Sequence, residues 1–184
     1  MTARHAGRFS AETVQHLLAE TSRVHVHLVV LAERLTAERL DALAHTEDQA
    51  SSATPRVLFV CSRNAGRSQM AAALPNVRAG GHVIVSSAGT DPAAEIEPEV
   101  AQVLTESGIT PTDAYPKPLT DEIVKAADIV VTIGCGDAFP VVPGRRYLDW
   151  PIPDPDGASP EAVRAIRDAI DAHITDLLAT LSRA

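Results

Sequence analysis

The sequence predicts an α/β fold, a four-stranded parallel sheet flanked by helices on both faces, preceded by a small all-helical N-terminal segment. Three observations carry this reading. From residue 55 onward, short apolar runs alternate with helix-forming text, the pattern of a parallel sheet with helical crossovers. The polar stretch Gln49-Ala50-Ser51-Ser52-Ala53-Thr54-Pro55, small in side chain and ending in proline, separates those runs from what precedes them. The length of 184 residues holds one α/β domain of about 130 residues and an appendage. The expected division is therefore 1–50 for the helical extension and 55–184 for the sheet domain, with a chain begun near Thr54 folding by itself and keeping its active site intact.

In the extension, Ser10 is placed to cap a helix, with Phe9 and Val14 as its hydrophobic staple. Residues 24–30 alternate like a strand, whereas 31–43 are helical in both period and composition, and the whole segment is read as two or three helices. Five of the seven histidines lie here. On a helix, His25 and His27 point roughly 200° apart and cannot chelate together, so no metal site is expected. Five arginines against seven acidic residues also give the segment no charge for DNA binding.

In the sheet domain, Val57-Leu58-Phe59-Val60 reads as a buried strand and 69–74 as a helix. A second strand is expected over 82–87 and a helix over 98–107, stopped by Gly108. Thr120 caps a short helix to Ala126, with Asp121 and Glu122 in its first turn. Strands over 128–133 and 145–150 follow, the latter at an edge. Ser159 and Pro160 open the last helix as N-cap and N1, and Val163, Ile166, Ile170, Ile174, Leu177 and Leu181 form its apolar stripe. Ligands of such sheets bind beyond the carboxyl ends of the strands. Cys61, Ser87, Cys135 and Asp154 each end or follow one of the four strands, and so converge on that edge.

The composition removes several function classes. A net charge of −8 gives no general support for nucleic-acid binding. No apolar run approaches 18 residues and no signal-peptide pattern opens the chain, so a cytoplasmic protein without membrane attachment is expected. Two cysteines in such a compartment point to redox or catalytic use rather than a structural disulfide.

The chemistry gathers at Cys61-Ser62-Arg63-Asn64-Ala65-Gly66-Arg67-Ser68. A tight loop running from a buried strand into a helix N-terminus turns backbone N–H groups inward, and the helix dipole favours negative charge there. Arg67 adds a planar fork able to grip two oxygens of a tetrahedral oxyanion. The same field favours thiolate over thiol at Cys61, to which Ser68 can donate a hydrogen bond. A cysteine acting merely as a small hydrophobe fits poorly beside so many polar neighbours.

With Gln69-Met70-Ala71 after it, this stretch resembles the anion loop of the low-molecular-weight tyrosine phosphatase fold, and more closely that of the arsenate reductases built on it. Ser87-Ala88-Gly89-Thr90 resembles a turn of the same family, and some actinobacterial-type members carry a similar helical extension. The resemblance implies Cys61 as nucleophile, Arg67 as oxyanion clamp, Ser68 as thiolate stabiliser, and Ser62, Arg63, Asn64, Ala65 and Gly66 as the substrate-binding loop. Thioredoxin-linked members usually carry a glutamate after Gln-Met-Ala as part of a potassium site. Ala72 stands there in this chain.

Gly134-Cys135-Gly136-Asp137 resembles the segment in which those reductases carry two redox cysteines; Cys135 matches the first, and the second is missing near Phe139-Pro140. A three-thiol relay is excluded. Either Cys135 resolves the adduct on Cys61, or an external thiol does. The family's general acid precedes a proline, which implies Asp154 rather than Asp149 or Asp156. The aromatic residue that tyrosine phosphatases of this fold place after that Asp-Pro is replaced by Asp156-Gly157, which suits a small inorganic oxyanion. The expected function is arsenate reduction in arsenic detoxification, with phosphate as substrate analogue and residual phosphatase activity. No tightly bound cofactor is implied; the partner is an external reductant, thioredoxin, a glutaredoxin-type protein, or mycothiol with a mycoredoxin. The alternatives are a protein tyrosine phosphatase and a non-catalytic arsenic- or redox-responsive regulator.

Overall fold

In the computed structural model, which describes residues 28–47, 54–78, 81–110, 114–135 and 141–182, four parallel strands stand in the order β2-β1-β3-β4. They are β1 (Arg56–Cys61), β2 (Ile84–Gly89), β3 (Ile129–Ile133) and β4 (Arg146–Trp150). The helices are α1 (Leu28–Glu47), α2 (Arg67–Arg78), α3 (Pro98–Glu106), α4 (Asp121–Ala126) and α5 (Pro160–Leu181). The chain leaves β1 to build β2 on one side, then returns to build β3 and β4 on the other. The strand order thus reverses at β1, and a crevice opens beyond its carboxyl end, where Cys61 stands.

Alternate residues of β1 feed two separate cores, as the period of a strand requires. Val57, Phe59 and Cys61 pack with Met70, Leu74, Val103, Leu104, Val163, Ile170 and Ile174 from α2, α3 and α5. Leu58 and Val60 pack with Ile123, Val124 and Ala126 of α4 and with Ala42 of α1. The α1 helix is further tied down by the ion pairs Arg39–Glu122 (3.1 Å), Arg56–Asp41 (2.7 Å) and Lys117–Glu38 (2.5 Å). Packing therefore crosses the linker that separates the two segments in sequence. The expected helix start at Ser10 lies outside the described residues, as do four of the five histidines of that segment.

Three elements differ from the sequence reading. The second strand runs over Ile84–Gly89 rather than 82–87, because pairing with β1 draws Ser86, Ser87, Ala88 and Gly89 into the sheet despite their weak strand propensity. Ser87 therefore lies within the strand opposite Phe59, and Gly89 is the residue beside Cys61. An alanine Cβ at Gly89 would fall 2.7 Å from the carbonyl oxygen of Ser62, so the anion loop rests directly on that glycine. The first helix of the domain begins at Arg67 and continues through Pro75 to Arg78. The apolar contacts of Met70, Ala71 and Leu74 hold its axis although proline contributes no N–H. The last helix has the expected cap, the Ser159 hydroxyl accepting from the Ala162 N–H at 3.3 Å, whereas Thr120 makes no capping bond.

Candidate active site

Residues 61–66 form a loop whose carbonyls all find hydrogen-bond partners. Cys61, Ser62, Arg63 and Ala65 accept from the N–H groups of Thr90, Asp91, Ala93 and Glu97, and Gly66 from Met70. The Asn64 carbonyl accepts from Gln69 Nε2 at 3.0 Å. No bond among the described residues engages the N–H groups of 62–66. A peptide whose carbonyl is held to one side presents its N–H to the other, so the loop offers N–H groups at the head of α2, an arrangement that suits an anion.

Cys61 is 2 % exposed and its Sγ lies 2.8 Å from Ser68 Oγ. Which group donates follows from the neighbours. The backbone N–H of Lys117 donates to Asn64 Oδ1 at 2.9 Å, and a backbone N–H can only donate, so the Asn64 amide is fixed with its Nδ2 toward Ser68 Oγ at 2.8 Å. Ser68 thus receives a hydrogen bond from Asn64 and has its own proton left for Cys61 Sγ. Asn64 reaches this position with φ at 47°, in the left-handed region that asparagine tolerates better than most residues. Gln69 Nε2 braces the assembly through Asn64 Oδ1 (3.1 Å) and the Tyr115 carbonyl (2.9 Å).

Arg67 is buried beneath the loop that follows β4. Its Nη1 donates to the Ile152 carbonyl at 3.1 Å and its Nη2 to Asp154 Oδ2 at 2.6 Å. Asp154 Oδ1 also accepts from the Asp156 N–H at 3.3 Å, and Asp156 pairs with Arg63 at 2.8 Å. Arg63 of the loop and Arg67 at the head of α2 are thereby tied to two aspartates of the segment after β4. Asp149 is occupied elsewhere, accepting from Thr132 Oγ1 at 2.6 Å. Cys135 lies beyond β3, half-buried, with its Sγ donating to the carbonyl of Val60, the residue before Cys61, at 3.1 Å. Burial pushes the Cys135 thiol up, with Cys61 adding to the shift and Arg67 opposing it. Both cysteines are free.

Of the residues expected from sequence, Cys61, Arg67, Ser68, Asp154 and Cys135 lie at one edge of the sheet, and 62–66 form the loop. The sequence reading missed Glu97. Its carboxyl lies against Gly66 and is raised first by burial and then by the charges of Asp154 and Asp156. It also missed Gln69, which braces Asn64 from the first turn of α2, and Tyr115 and Lys117, which hold Gln69 and Asn64 from 46 and 53 positions away. Nothing in the local text of Glu97 distinguishes it from an ordinary helix-opening Glu-Pro. Among the described residues no three His, Cys, Asp or Glu side chains cluster as a metal site, and no helix is long and apolar enough to cross a membrane.

A thiol beside a row of N–H groups at the head of a helix, with an arginine bonded to an aspartate at the same sheet edge, is the equipment of an enzyme class that attacks tetrahedral oxyanions through cysteine. The chain belongs to the low molecular weight phosphotyrosine protein phosphatase family, whose model matches residues 56–184, while residues 1–44 match a protein-tyrosine-phosphatase-like N-terminal domain. Among solved structures it is similar to a thioredoxin-dependent arsenate reductase of Corynebacterium glutamicum, with 42% identity and a TM-score of 0.86 over 99% of this chain and 88% of that one. It is 31% identical to a glutaredoxin arsenate reductase of Synechocystis over 130 residues, 69% of this chain and 98% of the relative. An arginine phosphatase of Geobacillus stearothermophilus shares the fold, with 32% identity and a TM-score of 0.62, covering 70% of this chain and 94% of that one.

Proposed function

We propose that the protein is a cytoplasmic arsenate reductase that serves arsenic detoxification. Cys61 is the nucleophile, Arg67 the clamp, Ser68 the donor to its sulfur, 62–66 the oxyanion nest, and Asp154 the general acid. The Cys61 thiolate attacks arsenate, an As–O bond breaks, and Asp154 protonates the departing oxygen. The Cys135 thiolate then attacks Cys61 Sγ. The S–S bond forms as the S–As bond breaks, and the electron pair of that bond reduces As(V) to As(III), released as arsenite. An external dithiol returns the Cys61–Cys135 disulfide to two thiols. Of the similar proteins, one is a thioredoxin-dependent arsenate reductase and another a glutaredoxin arsenate reductase, and we assign this chain a reductant of that kind. Mycothiol with a mycoredoxin would serve only if resolution were external.

The observation that favours reduction over ester hydrolysis is Cys135, whose thiol reaches the backbone of the residue preceding the nucleophile. A phosphatase needs no second thiol. The shared nest and clamp still support slow hydrolysis of phosphate monoesters. The test is Cys135→Ser: p-nitrophenyl phosphate hydrolysis persists, while arsenate reduction with thioredoxin as sole reductant stops. In the unaltered protein, one equivalent of arsenate removes two free thiols and peptide mapping finds Cys61 joined to Cys135. Full turnover of Cys135→Ser with thioredoxin would refute the relay.

A further inference from the structure

The helix that precedes the linker reaches the nucleophile through a chain of short contacts. Glu38 on α1 accepts from Lys117 Nζ at 2.5 Å through Oε2 and from the Tyr115 hydroxyl at 3.3 Å through Oε1. The Lys117 side chain is 10% exposed and Tyr115 is buried, so this carboxylate is the partner of an ammonium largely removed from water. Burial, followed by the charge of Glu38, raises the Tyr115 phenol and keeps it a donor. The Lys117 ammonium also lies 5.2 Å from the Tyr115 ring centre.

What these two residues do with their backbones gives the contact its meaning. The Lys117 N–H fixes the Asn64 amide and the Tyr115 carbonyl fixes that of Gln69, and Asn64 in turn leaves the Ser68 proton to Cys61. The segment is Tyr115-Pro116-Lys117-Pro118, in which two prolines restrict the backbone. It is joined to the end of β2 by the bonds from Gly89 N–H to Lys117 O and from Leu119 N–H to Gly89 O. A pull on its side chains is therefore passed to its backbone groups rather than absorbed between them. We infer that Glu38 is a positioning residue for the nucleophile, by which the N-terminal helix sets the direction of the Ser68 hydrogen bond to Cys61; this rests on Cys61 being the nucleophile proposed above.

The experiment uses full-length protein and reads Cys61 itself. Iodoacetamide alkylation of Cys61, located by peptide mapping, is followed across pH for the unaltered chain, Glu38→Ala, Glu38→Gln and Tyr115→Phe, alongside melting curves and p-nitrophenyl phosphate kinetics. Ser68 and Cys135, which face Cys61, and the charged groups of the site, Arg63, Arg67, Glu97, Asp154 and Asp156, are unaltered in all four. In Glu38→Ala the alkylation profile moves to higher pH and the rate at pH 6 falls about 3- to 10-fold. Its kcat falls with little change in KM, since the nest and Arg67 are intact. Glu38→Gln keeps an acceptor oxygen and recovers part of the rate, and Tyr115→Phe, which loses one contact, shifts the profile less in the same direction. A helix that merely stabilised the fold would lower the melting temperature and leave these profiles in place. Folded Glu38→Ala with the profile of the unaltered protein overturns the inference. Should Glu38→Ala not fold, unshifted profiles in both Glu38→Gln and Tyr115→Phe overturn it. Arsenate turnover is not read, so failure of the reductase reading leaves this result standing, whereas an unreactive Cys61 in the unaltered chain would count against the nucleophile itself.

Discussion

Replacing Gly134 by alanine is expected to displace the Arg67 guanidinium, the proposed oxyanion clamp, while leaving the chain folded. Gly134 follows β3 with φ at +64°, and a Cβ built on it would stand 2.1 Å from Arg67 Nη1 and 3.1 Å from Cζ. Ordinary contact between such atoms is about 3.5 Å, so the guanidinium must retreat by roughly 1 Å or more. It then gives up its bond to the Ile152 carbonyl. A displacement of about 1 Å in a group that orients substrate costs roughly 100-fold in rate. The positive φ separately costs the fold about 1–2 kcal/mol, or roughly 2–8 °C of melting temperature for a chain of this size. Gly108→Ala separates the two effects: it has φ at +77°, and nothing lies within 4 Å of its Cβ. Both variants should lose similar stability, but only Gly134→Ala should lose kcat/KM for arsenate and for p-nitrophenyl phosphate. Gly134→Ala within about threefold of the unaltered protein, or Gly108→Ala equally inactive, would refute the reasoning.

Cys61→Ser should abolish both arsenate reduction and p-nitrophenyl phosphate hydrolysis, since both begin with the same attack; arsenate turnover by that variant would remove Cys61 from the mechanism. Arg67→Lys should be severely slowed in both assays, because a point charge does not replace a planar fork; unaltered kinetics would show that the oxyanion is held elsewhere. Burial raises the Cys135 thiol, so below that raised value it stays protonated and the relay is held back. The ratio of arsenate turnover to phosphatase rate should climb as pH rises through that value, and a flat ratio would exclude Cys135 as the attacking group. A chain begun at Thr54 should still fold but melt lower, since it loses the α1 helix whose Ala42 packs against Leu58 and Val60. About 2 kcal/mol of apolar burial, or roughly 4–8 °C, is at stake, and an unchanged melting temperature would show the helix contributes nothing to the sheet. A thioredoxin keeping only its attacking cysteine should be trapped as a mixed disulfide on Cys135; peptide mapping that finds it on Cys61 would reverse the assigned direction of attack.

The elements that sequence alone predicts here are those whose signals are local. The apolar run of β1 and the Ser159-Pro160 start of α5 are written within a few residues, and both stand where periodicity and capping place them. The end of β2 is different. Ser86, Ser87, Ala88 and Gly89 carry no strand signal of their own, and only the row of partners from Leu58 to Cys61 makes them a strand. The helix through Pro75 likewise breaks a local rule that the packing of Met70 and Leu74 overrides. In the site, the residues from Cys61 to Ser68 are legible because one continuous loop carries them. The residues that aim them are not. Lys117 lies 53 positions from the amide it fixes, and Glu38 a further 79 from Lys117. Text such as Tyr115-Pro116-Lys117-Pro118 reads only as a stiff loop until the sheet brings it against Asn64.

Two cysteines in the whole chain also constrain how the proposed relay is reset. With a third thiol, a disulfide could migrate toward the surface before a reductant meets it. Here the Cys61–Cys135 bond stays where it forms, and the reductant must come to it. The two sulfurs are not equivalent targets. Cys61 is 2% exposed beneath its nest, whereas Cys135 is half-buried at the end of β3. Attack at Cys135 expels the Cys61 sulfur, which receives the Ser68 proton in a hydrogen bond as its negative charge develops. The opposite attack would expel the Cys135 sulfur, whose environment disfavours the thiolate. Thiol exchange runs faster through the sulfur that leaves more readily, so access and leaving-group chemistry select the same direction. In the proposed relay, the hydrogen bond that serves Cys61 in its attack on arsenate thus also makes it the sulfur released on reduction.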